Sequence, residues 1–111
     1  MTARKNAVAG KISIYIPYKS VFNRRKRQIR ETAAMLAGLF GGATVTPPSY
    51  GFWVHSVIGL MRERVVQVYS FANDDMLDMA EADVIEWCRS LKKRLGEESI
   101  LLEINNVAHF I

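Results

Sequence analysis

Between positions 24 and 30 the chain places five cationic side chains, Arg24, Arg25, Lys26, Arg27 and Arg30. An arginine fork meets phosphate or carboxylate oxygens two at a time, so the chemistry of such a cluster is the holding of an anion. Two further basic groups have the same character: Arg62 with Arg64, and the run Lys92, Lys93, Arg94. Acid–base chemistry would need other residues. His55, Glu63 and Tyr69 are of the right types, and a fold that gathered them would make an acid–base cluster. Neither His55 nor His109 stands in a local Ser, Cys or Asp arrangement that reads as nucleophile and base, so no catalytic residue is assigned. Asp74, Asp75 and Asp78 read as helix-capping carboxylates, and two histidines without cysteine partners give no zinc set; no metal and no cofactor are expected. The lone Cys88 allows no internal disulfide and fits a reducing cytoplasm.

These residues need elements to position them. With 111 residues, half of them apolar, the chain supports one core. The expected organisation is a flexible N-terminal tail over 1–10 and a single α+β domain over 11–111. The longest apolar run, 33–45, is well short of the roughly 20 residues that a membrane-spanning helix needs, and no secretory signal precedes it. In KISIYIPY (11–18), Ile12, Ile14 and Ile16 alternate with Ser13 and Tyr15, the period of a half-buried strand. From Asn23, a candidate N-cap, Ile29, Ala33, Leu36 and Phe40 form one helical stripe, and Gly41 stands where a left-handed C-cap belongs. ATVTPPSYGFWV predicts an edge strand interrupted at its double proline. RVVQVYSF (64–71) predicts a strand, with HSVIGLMRE before it as the hairpin connection. A second helix starts at Asn73 or Asp74, carries Leu77, Ala80, Val84, Cys88, Leu91 and Leu95 on one stripe, and closes at Gly96. Asn105 and Asn106, two residues tolerant of positive φ, predict a terminal hairpin. The order β-α-β-β-α-β with an extra C-terminal hairpin strand is a ferredoxin-like two-layer sandwich, an antiparallel sheet with two helices on one face.

The segments LFGGATVTPPSYGFW, RERVVQVYSF and LEINNVAHFI resemble a group of small bacterial and mobile-element proteins of uncharacterised function. The matching residues are Phe40, Gly41, Gly42, Ala43, Thr44, Gly51, Phe52, Trp53 and Glu63, so the resemblance spans about residues 36 to 111. It implies the same β-α-β-β-α-β order and no activity.

In that topology the end of the first strand, the start of the first helix, the middle hairpin and the end of the second helix share one edge. That edge collects Lys19, Arg24, Arg25, Lys26, Arg27, Arg30, Arg62, Arg64, Lys92, Lys93 and Arg94, most of the chain's 15 basic residues. Cations at a helix N-terminus oppose the helix dipole, whereas the second helix obeys it at both ends. The crowding therefore points to an anion site, and the leading expectation is a non-enzymatic binding module that holds nucleic acid or a phosphate-bearing ligand on this edge. The alternative is a protein–protein interaction or inhibitor module, expected as a homodimer. It would use the uncovered sheet face, where Tyr15, Tyr69 and Phe71 fall together, with Trp53 and His55 nearby. A third reading is a small enzyme with a sheet-face pocket using His55, Glu63 or Tyr69.

Overall fold

The computed structural model describes residues 8–18 and 23–111, with only the backbone of residues 23 and 24. The tail expected over 1–10, Lys19 and the surroundings of the Asn23 cap therefore lie largely outside the described residues. The elements run β1 (Gly10–Pro17), α1 (Asn23–Phe40), β2 (Thr44–Val45), β3 (Ser49–His55), β4 (Gly59–Ala72), α2 (Asp74–Leu95), β5 (Leu101–Ile104) and β6 (Val107–Phe110). They form an α+β fold with a six-stranded antiparallel sheet in the order β2-β4-β1-β5-β6, β3 also pairing with β4. With β1 and β4 at its centre, this is the ferredoxin-like order extended by one C-terminal strand. No helix among the described residues is long and apolar enough to cross a membrane.

Strand parity decides what each face carries. Ile12, Ile14 and Ile16 are fully buried beside Val66 and Val68, in one core with Ile29, Leu36 and Phe40 of α1 and Leu77, Val84, Cys88 and Leu91 of α2. Their neighbours in sequence face away from the helices. The pairs Tyr15–Gln67, Ser13–Tyr69, Tyr15–Leu101 and Ser13–Glu103 all lie on that second, uncovered face. Local chemistry closes the elements as expected. Asn73 accepts from the Met76 amide, Gly96 caps α2 at φ 66°, and Asn105 and Asn106 turn at φ 50° and 68°.

The middle hairpin differs from the expectation. The stretch predicted as a connection is strand from Gly59 onward, and the turn shrinks to Ser56–Ile58. Leu60 and Met61 are both apolar and adjacent, which hides the period-2 signal. Because Pro17, the last residue of β1, stands opposite Val65, the pairs from Tyr50–Arg64 to His55–Gly59 continue beyond the sheet as a two-stranded arm. The molecule measures 54 × 27 × 25 Å.

Candidate active site

At the base of the arm, on the uncovered sheet face, there is a cleft of about 690 Å³. Its floor is Tyr15 and Pro17 of β1 with Leu101 of β5 and Phe110 of β6. The arm supplies one wall, from Ser49 to Trp53 on β3 with Glu63 and Val65 on β4, and the α2–β5 connection supplies the other, Glu97 to Ser99. Open-face parity puts Glu63 opposite Gly51, and Trp53 opposite Met61, on the cleft side of the ribbon. Gly51 is tightly fitted there, since a Cβ would come within 3.3 Å of Val65 Cγ2. Three carboxylates and no cationic side chain line the cleft among the described residues. A fourth, Glu103, lies beside the floor on the same sheet face and accepts a hydrogen bond from the Tyr15 hydroxyl at 3.0 Å. Burial, together with that bond and the charge of Glu103, raises the Tyr15 phenol above its ordinary pKa, so the hydroxyl keeps its proton. An acidic concavity with Trp53 and Phe110 at its walls suits a cation that carries a flat or apolar body.

The other residues singled out in the sequence are placed differently. The Nδ1 atom of His55 accepts from the amides of Val57 and Ile58, so its ring organises the arm's turn, 5.7 Å from that of Trp53. Tyr69 lies six residues beyond Glu63, about 20 Å along β4, with Lys11 Nζ 4.3 Å over its ring and Phe71 at 5.7 Å. The cluster of His55, Glu63 and Tyr69 is thus not formed. Only Glu63 of the three lines the cleft.

The basic edge is interleaved with acids. Arg25 is only 7% exposed. Its guanidinium donates to Pro17 O at 2.9 Å, Glu97 Oε1 at 3.1 Å and Leu95 O at 3.3 Å, tying the end of β1 to the end of α2. Arg27 and Arg94 both reach Glu31, at 3.1 and 3.4 Å. Arg94 also lies over the Trp87 ring. Arg62 and Arg64 are on the arm, over the rings of Tyr50 and Tyr18. Lys26, Arg30 and Lys93 are exposed and Lys92 is half-buried, while the Arg24 side chain is outside the described residues.

No protein-family model matches the chain, and no curated protein matches it in sequence. Its fold is shared with solved structures. A phage SAM lyase in complex with S-methyl-5'-thioadenosine superposes with a TM-score of 0.63 at 16% identity, covering 92% of this chain and 88% of that one. A phage SAM lyase in its apo state gives 0.55 at 15% identity, covering 92% and 85%. At these identities the likeness is one of fold, and it runs through nearly the whole length of both chains. It corrects the expectation of a non-enzymatic module gripping nucleic acid or phosphate on a basic edge, and with it the expectation that the protein is not an enzyme. The physical reason is visible on the edge itself, part of which is bonded internally, while the cleft on the uncovered face is lined by carboxylates.

The walls of the cleft were only partly readable beforehand. Glu63 and Trp53 stood out as residues, but Glu97, Glu98, Glu103, Tyr50 and Phe110 did not. The available signal was Glu103, the one charged residue in the apolar run SILLEI, at open-face parity.

Proposed function

We propose that this protein is a small enzyme that cleaves SAM, using the cleft between the arm and the uncovered sheet face. The observation that carries the reading is the cleft's chemistry, carboxylates at Glu63, Glu97 and Glu98 among aromatic side chains. SAM is a sulfonium cation joined to a flat adenine, with an ammonium group on its amino-acid end. The cleft offers partners for each: Glu63 and Glu98 for the cationic centres and Trp53 or Phe110 for the base. The fold shared with a phage SAM lyase supports the same direction. Cleavage that releases S-methyl-5'-thioadenosine sends both electrons of one S–C bond to sulfur, which turns the sulfonium into a neutral thioether. In the same step the four-carbon fragment's own carboxylate oxygen bonds to the carbon that sulfur leaves, closing a lactone, and no water is added. In this reading Glu63, on the same face of the ribbon as Trp53, binds and orients the substrate's cationic end. Tyr15, kept protonated by Glu103, positions the floor. A reducing cytoplasm, inferred from the single buried Cys88, is the setting we propose.

The test is incubation of the purified chain with SAM and chromatographic measurement of S-methyl-5'-thioadenosine. We expect release by the wild type and a fall of roughly 10-fold or more in kcat/KM for Glu63→Gln, carried mainly by KM, because the carboxylate binds a charge that the reaction removes. Absence of the thioadenosine product, together with no thermal stabilisation by added S-methyl-5'-thioadenosine, would overturn the reading.

A further inference from the structure

The cleft is charged in one sense only. Glu63, Glu97 and Glu98 line it, and among the described residues no Lys, Arg or His does. Cations on the neighbouring elements are committed elsewhere. Arg25 is 7% exposed and donates to Pro17 O, Glu97 and Leu95 O. Arg62 and Arg64 stand on the other face of the ribbon, over the rings of Tyr50 and Tyr18. Arg89, Lys92 and Lys93 line a separate recess that shares only Glu97 and Phe110 with the cleft. Two of the cleft's hydroxyl donors are engaged as well, Tyr15 with Glu103 and Ser49 with Val65 O.

SAM carries a sulfonium, an ammonium and a carboxylate. Such a cleft attracts the first two and meets the third with like charge, and a carboxylate drawn out of water without a donor is costly. We infer that the cleft recognises the adenosine and the cations of its ligand and holds no receptor for the carboxylate, so that its tightest ligands are adenosine-bearing cations without a carboxyl group. This rests on the SAM reading and deepens it. An unheld carboxylate stays free to bond to the carbon that sulfur leaves, as lactone closure requires. The same sulfonium without its carboxyl group, decarboxylated SAM, has a larger net positive charge and lacks that nucleophile. It occupies the cleft more tightly than SAM, is not cleaved, and acts as a competitive inhibitor.

The carboxylate's effect is read without turnover on two thioethers, which lack the sulfonium leaving group: S-adenosylhomocysteine and its decarboxylated counterpart. In calorimetric titration of the purified chain the decarboxylated ligand is expected to bind about 10-fold tighter, equivalent to about 1.4 kcal/mol. High salt should narrow that gap, and so should Glu98→Gln, a change at an exposed position that leaves the fold intact. In the turnover assay decarboxylated SAM is expected to inhibit competitively and to release no S-methyl-5'-thioadenosine. Equal or tighter binding of S-adenosylhomocysteine would overturn the inference and put the carboxylate on Lys92 or Lys93. No binding of the decarboxylated thioether, release of S-methyl-5'-thioadenosine from decarboxylated SAM, or a gap that high salt and Glu98→Gln both leave unchanged would overturn it too. If SAM itself is not cleaved while the decarboxylated thioether still binds tighter, the SAM-cleaving reading falls and the charge preference of the cleft stands.

Discussion

Arg25 accounts for one of the cations at the start of a helix whose dipole is already positive there. Its guanidinium reaches across to Leu95 O, the carbonyl end of the other helix, where the dipole is negative, and to Glu97 and Pro17 O besides. The misfit in one element is a fit between two. A residue-scale prediction concerns Cys88. Burial pushes its thiol up from 9.0 to about 12, so the folded state retains a proton that the unfolded chain releases. The folded pKa is the higher one, so this contribution to stability is complete below pH 9 and declines as the pH rises from there toward about 12. Urea unfolding compared with that of Cys88→Ala should show a steeper alkaline loss for the wild type. Equal alkaline slopes would count against a shifted thiol.

At the scale of elements, α2 was legible because its signals are local. An Asn cap, acids in the first turn, bases in the last and a terminal Gly all act within a few residues. The Asn105–Asn106 hairpin was legible for the same reason. The early half of β4 was not, because Leu60 and Met61 put one apolar residue on each face, Arg62, Glu63 and Arg64 follow, and no core periodicity marks it. How the helices meet was equally hidden. Trp87 Nε1 donates to Thr32 Oγ1 at 3.0 Å, and Thr32 is fully buried. Thr32→Val preserves shape and removes the acceptor, leaving an indole N–H unpaired. It should cost about 1–3 kcal/mol in urea unfolding, and Thr32→Ser should recover most of that. A neutral Thr32→Val would mean that the bond contributes nothing between the helices.

Across the whole molecule, a compact two-layer body carries a ribbon that it does not cover. Hydrogen exchange should separate the two. In the single-chain form, amides of the arm's paired segment, 50–64, should exchange far faster than those of β1 and of β4 from Val65 onward, whose ladder lies over the core. Arm amides as slow as those of β1 in the single chain would show the ribbon stable without a partner. By itself the sequence determined the order of the elements, the ferredoxin-like sandwich, the isoleucine face and the caps, because each follows from periodicity or chemistry within a few residues. Only the tertiary structure decided that the arm outruns the sheet, that Arg25 is internal, and that the cleft on the uncovered face is lined by carboxylates. The partners involved, Arg25 with Glu97 and Tyr15 with Glu103, stand 72 and 88 residues apart, and no local pattern encodes which distant charges will meet.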